Sequence, residues 1–280
     1  MSFASLLKKK INGNEDVISI LDETTLMRDA YDFDKVRERV TDLKKYADKD
    51  IREDDEFMKL FFSLFNEVYA DRKRSSGVFH PSGIMNACER QLYYEFAEFT
   101  PSDVVNRKID GRLQRIFDTG TFWHTYVQML LWKAGILEKS EVRVVNRRRR
   151  ISGSADGIVR LMKLGKALRA LLEIKTMNSF SYAKGKLRPK IEHEVQAGVY
   201  ARELKLDWIL FLYVNKDTSE ITAHLVEVNN ELVDEKAYGK MDDVLDAVTS
   251  KVAPDRVHCT HKMSPMAKVC PYASLCFKHK

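Results

Sequence analysis

The sequence predicts an α/β fold: a mixed central sheet flanked by helices, with a helical N-terminal extension and a cysteine-ligated metal staple. Three observations predict it. Apolar residues recur at helical spacing in the first half of the chain, strand-like alternation replaces that period after Gly135, and four cysteines stand at Cys88, Cys259, Cys270 and Cys276. Helices followed by interleaved strands and helices bury their apolar faces most simply in layers around one sheet. The 280 residues, 44% hydrophobic and 31% charged, suffice for one substantial core and an appended segment. We divide the chain into a helical region over residues 1–75 and an α/β domain over residues 76–280.

From Asp16 to Arg74 the chain is highly charged and lacks proline and glycine, while Phe57, Leu60, Phe61, Leu64, Phe65 and Val68 recur at helical spacing. Arg72–Gly77 reads as a connector, and Pro81-Ser82-Gly83 precedes a helix carrying Cys88, Arg90, Tyr93 and Tyr94. A second helix is predicted over Gly120–Ala134. Glu141–Val145, Ile151–Met162 and Leu168–Thr176 read as three strands of an antiparallel meander, the last two joined by a turn at Leu164-Gly165-Lys166. Glu192–Leu204 is helical by period, Trp208–Val214 is a continuous apolar strand, and a turn leads to a strand over Glu220–Val228. A helix over about Asn230–Ser250 follows.

A net charge of +6 and a sequence pI near 9.0 admit a polyanionic partner without requiring one. No apolar run approaches the roughly 20 residues needed to cross a bilayer. The start, MSFASLLKKKINGNED, lacks the core of a signal peptide. The expectation is an intracellular protein without a membrane partner, cytoplasmic or nucleoid-associated, or in the host cytoplasm if viral. The pattern sets no oligomeric state.

The run ISGSAD at Ile151–Asp156, then LLEIKT at Leu171–Thr176, supplies an aspartate on one strand and Glu-x-Lys on the next. Residues two apart on a strand share a face, so Glu173 and Lys175 point into one cleft. Hard cations such as Mg²⁺ or Mn²⁺ prefer oxygen ligands, which suits Asp156 and Glu173, and the Ile174 carbonyl is a further oxygen between them. An ion that activates water, with an ammonium group beside it, is the equipment of phosphodiester hydrolysis. Lys175 either orients the water, deprotonates it or neutralises developing charge.

These residues resemble the PD-(D/E)XK nuclease motif, and two neighbouring features resemble its RecB-like branch. Gly120 precedes His124 by four positions, and Gln196-Ala-Gly-Val-Tyr200 matches a Q-x-x-x-Y helix. The resemblance implies a restriction-endonuclease-like sheet and a metal bound by His124, Asp156, Glu173 and Ile174. It also implies that Asp156, Glu173 and Lys175 are catalytic and that Gln196 and Tyr200 contact DNA. The implied activity is metal-dependent DNA hydrolysis, exonucleolytic on single-stranded or frayed ends, in recombination, repair or replication and with a helicase or recombination partner. A structure-specific endonuclease and a non-catalytic DNA-binding scaffold are the alternatives.

The segment around Cys88 and the stretch Cys270-Pro-Tyr-Ala-Ser-Leu-Cys276 resemble the iron–sulfur staple of AddB-type and CRISPR-associated RecB-like nucleases. That resemblance implies a 4Fe-4S cluster on Cys88, Cys259, Cys270 and Cys276, although Cys259 and Cys270 stand eleven positions apart. Structural Zn²⁺ completed by His258 or His261, and unligated buried thiols, are the other readings. Two basic segments complete the candidates for phosphate contact. One is the run from Arg147 and Arg148 to Arg150 between two strands; the other is Lys184, Lys186, Arg188 and Lys190, interleaved with Phe180 and Tyr182.

Overall fold

The computed structural model describes residues 77–97 and 111–278. The helical region predicted between Asp16 and Arg74 lies outside them. Two helices open the described chain, α1 (Pro81–Ile84) and α2 (Glu89–Phe96), followed by the long α3 (Gly111–Lys133). The meander β1 (Leu137–Asn146), β2 (Ile151–Lys163) and β3 (Lys166–Met177) leads through α4 (Ser179–Gly185) and α5 (Ile191–Glu203) to β4 (Trp208–Asn215) and β5 (Ile221–Glu227). The chain then runs through α6 (Asn230–Val233), α7 (Gly239–Ser250), α8 (Pro265–Val269) and α9 (Ala273–Lys278).

The five strands lie in sequence order in one sheet. The three pairs β1–β2, β2–β3 and β4–β5 are antiparallel, whereas β3 and β4 run parallel. A parallel neighbour cannot be reached by a tight turn, so the chain crosses over through α4 and α5. The sheet is therefore mixed, with β3 central and paired to β2 and β4. Its two faces carry different cores. Val144, Ala155, Ile158, Leu171, Ile209 and Phe211 pack against Ala197, Tyr200 and Ala201 of α5. On the opposite face Val159, Ala170, Leu172, Ile174, Leu212 and Val214 pack with Val127 of α3. Being covered on both faces explains why β4 is apolar along its length rather than alternating.

A further layer closes over α5. Phe79, Ile84, Leu92 and Phe96 from the first helical segment meet Val195 and Val199 of α5 and Val233, Tyr238, Met241 and Val244 of the C-terminal helices. Phe79 is stitched to the sheet by a bridge to Ile151, its amide donating to the Arg150 carbonyl at 2.6 Å and its carbonyl accepting from the Ser152 amide at 3.0 Å.

Three local features depart from the sequence reading. Helix α3 already runs through the nine described residues before the predicted Gly120, a stretch supported by side-chain bonds such as Gln114 to Asp118. Cys88 lies outside its helix: it caps α2, its Sγ accepting from the Gln91 amide at 3.4 Å. The helix expected over Asn230–Ser250 contains a π turn at Asp234–Tyr238, which rotates α7 relative to α6.

Gly157 lies between its register partners Ser140 on β1 and Leu172 on β3, where it leaves no room for a side chain. A Cβ there would lie 2.6 Å from the Lys139 carbonyl oxygen. Backbone cannot yield as a side chain does, so Gly157→Ala should destabilise the protein by about 1–3 kcal/mol. Urea denaturation with an unchanged slope is the check, and a loss below about 0.5 kcal/mol would contradict this packing.

Candidate active site

The alternation of β3 sends Glu173 and Lys175 toward α5 and the side chain of Ile174 into the core against α3. Glu173 is 1% exposed. Its Oε1 is 2.7 Å from Lys175 Nζ and accepts from Gln196 Nε2 at 2.8 Å, while Lys175 Nζ also donates to Gln196 Oε1 at 3.1 Å. One carboxylate oxygen is thus held twice. The other, Oε2, is buried with no hydrogen-bond partner.

Asp156 stands just beyond the end of the β2–β3 ladder, whose last pair is Gly157 with Leu172. Its Oδ2 accepts from the Ile174 amide at 2.6 Å, a bond that continues the pairing by side chain where the backbones part. Its Oδ1 lies 3.3 Å from His124 Nδ1 on α3. Gly120, one turn earlier, passes over Thr176 and brings α3 close enough to the strand to place that imidazole. Four residues after His124, the buried Gln128 donates to the Asp156 carbonyl at 2.8 Å and to Glu141 Oε1 at 2.9 Å.

Electrostatics follow from this crowding. Burial pushes the Glu173 carboxyl up, to about 7, against the pull of Lys175. Burial also lowers Lys175, but the Glu173 charge and hydrogen bond outweigh it, and the ammonium ends up favoured. The two shifts oppose each other, since a raised lysine needs an ionised glutamate. The 2.7 Å contact favours the ion pair near neutrality. For His124, burial again lowers the pKa and Asp156, with Glu173 behind it, more than reverses the effect. Glu141 is raised by burial, with Asp156 adding to it.

The donor chemistry suits a hard divalent ion. Two carboxylates and an imidazole converge from three elements, and a buried carboxylate oxygen without a partner is costly unless something positive reaches it. The side chains here bond to one another: His124 meets Asp156 directly, and among the described residues no group of three or more His, Cys, Asp or Glu is gathered at metal-ligand spacing.

The structure brings together His124, Asp156, Glu173, Lys175 and Gln196. It does not bring Tyr200 to them. That ring is 3% exposed and packs beneath Gly153, where a Cβ would lie 2.4 Å from its hydroxyl. The expectation that Tyr200 touches DNA is corrected: β2 covers it, and it acts as a core residue between α5 and the sheet. Arg147 and Arg148 are also displaced. They sit exposed at the β1–β2 turn, beyond Ile151, which is itself about 17 Å along β2 from Asp156 at the usual strand rise. Their neighbours Arg149 and Arg150 lie over the rings of Tyr238 and Phe96 while staying at the surface. Lys184, Lys186 and Arg188 are exposed on the connection that leaves the Lys175 end of β3. Sequence reasoning missed Gln128, Glu141 and Tyr213. Only Gln128 carried a signal, its four-residue spacing from His124.

Cys88, Cys259, Cys270 and Cys276 line a single small cavity of about 20 Å³, although the first lies far from the others in sequence. None is in a disulfide. Burial raises the Cys88 and Cys270 thiols, and the neighbouring sulfurs add to the effect. His258 is engaged with Glu89, its Nε2 3.5 Å from Oε2.

No family model and no curated protein matches this chain. Among solved structures, an alkaline exonuclease from Laribacter hongkongensis is similar at a TM-score of 0.46 and 16% identity, covering 63% of this chain and 90% of its own. A structure described as SSO0001 is similar at a TM-score of 0.43 and 17% identity, covering 73% of this chain and 88% of its own.

Replacing Glu173 tests the electrostatics without reference to activity. A carboxyl whose folded pKa is raised adds stability below its unfolded value, near 4.5, and loses it as pH climbs through about 7. Glu173→Gln does not titrate. The stability of the metal-free variant should therefore vary less between pH 5 and pH 8 than that of the parent, read from denaturation midpoints across that range, while its absolute stability also loses the ion pair with Lys175. A variant whose stability falls as steeply with pH as the parent's would contradict a raised Glu173 carboxyl.

Proposed function

We propose that this chain is a divalent-metal-dependent DNA nuclease, exonucleolytic on single-stranded or frayed ends. The observation that carries the reading is the buried Glu173 carboxylate, one oxygen clamped by Lys175 and Gln196 and the other without a partner, beside the Asp156–His124 pair. Asp156, Glu173 and His124 would hold Mg²⁺ or Mn²⁺. Such an ion, when bound, lowers the pKa of water and polarises the phosphoryl oxygens.

The protein's own groups do the positioning. Gln196 fixes the Glu173 carboxylate and the Lys175 ammonium relative to one another, so that the ammonium faces the place where a phosphate would acquire charge. The Asp156 carboxylate is anchored by the Ile174 amide and cannot swing away. Lys184, Lys186 and Arg188 provide cations for the backbone of the nucleic acid, and the 73% exposed Phe180 offers a ring for an unpaired base. The motif resemblance favours an exonuclease in recombination, repair or replication, with a helicase or recombination partner.

We read the cysteine cavity as the seat of a 4Fe-4S cluster. Four cysteines lining one cavity support it, and the engagement of His258 with Glu89 weighs against a zinc site that borrows that imidazole. Its role would be structural, joining α2 to the C-terminal segment.

Two outcomes are expected. Anaerobically purified protein should degrade linear DNA with Mg²⁺ or Mn²⁺, and Lys175→Ala and Asp156→Asn should each lower the rate by about 10²-fold or more. Cleavage of a covalently closed circle would instead make it an endonuclease, and no cleavage of either would leave a DNA-binding scaffold. The preparation should be brown with broad visible absorbance that Cys276→Ser removes; a colourless protein with one zinc per chain would reject the cluster.

A further inference from the structure

Beside Lys175 the site holds a histidine that the proposed reaction has not used. His193 lies in the first turn of α5, three residues before Gln196 and hence on the same side of the helix. Its ring stands over Tyr213, with centroids 5.5 Å apart. Tyr213 is fully buried on β4 and is the register partner of Lys175 on β3, so both side chains lie on the face that α5 covers. Nδ1 of His193 is 3.0 Å from the Tyr213 hydroxyl, and that hydroxyl already accepts from the Lys190 amide at 3.1 Å.

These bonds select a tautomer. A phenol has one proton to give. If His193 donated from Nδ1, the Tyr213 oxygen would receive two hydrogens and its own proton would have no acceptor among the described residues. The satisfied arrangement is Tyr213 donating to Nδ1, which leaves the hydrogen of the imidazole on Nε2. Burial, with the charges of Lys175 and Lys190, drives the imidazole pKa down to about 3, so the ring is neutral across the physiological range. Half-buried His193 therefore carries an N–H, fixed in direction and uncharged, within electrostatic reach of Lys175.

We infer that His193 Nε2–H is a substrate contact, an uncharged donor to a non-bridging phosphate oxygen of the DNA strand lying across Lys175. The inference rests on the nuclease reading and adds a residue to it. Lys175 supplies charge where charge develops. His193 supplies direction without charge, since its bond to phosphate forms in the ground state and persists through reaction. Such a contact strengthens binding and leaves the chemical step nearly untouched.

The test combines kinetics and spectroscopy. On fluorescently labelled single-stranded DNA with Mn²⁺, His193→Ala should raise KM about tenfold with kcat within about twofold of the parent. His193→Gln, which keeps an N–H donor, should recover most of the loss. Tyr213→Phe removes the group that orders the ring and should give an intermediate KM. Long-range nitrogen–proton correlation spectra of the protein without DNA should show the Nε2–H tautomer of His193 between pH 5 and 8, and its loss in Tyr213→Phe. An unchanged KM in His193→Ala, beside an inactive Lys175→Ala, would overturn this inference while sparing the nuclease reading. So would an Nδ1–H tautomer or a collapse of kcat alone. Absence of cleavage by the parent would overturn both.

Discussion

The architecture is organised around one buried carboxylate. A carboxylate as sequestered as Glu173 is costly in an apolar interior unless charge and hydrogen bonds answer it. Lys175, on the same face of β3, supplies the charge at 2.7 Å, and Gln196 comes from the crossing helix to bond both. This requirement dictates much else. The strand that carries the pair must be central, so that no edge admits water behind it, and α5 must cross at a height that sets Gln196 over the pair. The parallel step from β3 to β4 provides both, because a crossover is what places a helix over the central strands.

The outer layer serves the same geometry from a distance. Cationic groups tie the N-terminal helices to the C-terminal ones: Arg90 donates to the Pro254 carbonyl at 2.9 Å, and Lys240 on α7 reaches the carbonyls of Ile84 at 2.9 Å and of Ala87. Each bond satisfies a helix end or loop carbonyl that would otherwise be left without a donor in a packed region. The four cysteines fall in this zone because the chain's described beginning and end meet there. The layer presses on Val195 and Val199, the outward side of α5, and so fixes the helix that presents Gln196 and His193 inward.

How far this was legible in the sequence varies with the physics of each element. The meander and β4 were readable because strand period and burial on both faces leave a local signature, as did the two-residue step from Glu173 to Lys175. Tyr200 misled because a four-residue spacing fixes the side of a helix and says nothing about depth; Gln196 meets polar groups and Tyr200, one turn on, meets Gly153. The arginine run at Arg147–Arg150 announced charge and not position, and half of it turned onto aromatic rings. Tyr213 was hidden inside an apolar strand, since its hydroxyl gains meaning only from Lys190 and His193 across the fold. Glu141 stands on β1 with a left-handed φ of 47°, a conformation that no local pattern encodes.

A continuous sheet would keep the two helical faces apart, yet His124 and Gln196 serve one cluster from opposite sides. The parting of β2 and β3 beyond Gly157 and Leu172 resolves this. Where the ladder stops, Asp156 takes the Ile174 amide with a side-chain oxygen, so no backbone donor is lost while the strands separate. The gap is a window through the sheet: α3 reaches Asp156 from one side and α5 reaches Glu173 from the other. Closing that window by one more ladder pair would satisfy the Ile174 amide equally well and would separate the imidazole from the carboxylate pair. The splay is therefore the feature of the fold that makes a single site out of residues on two faces.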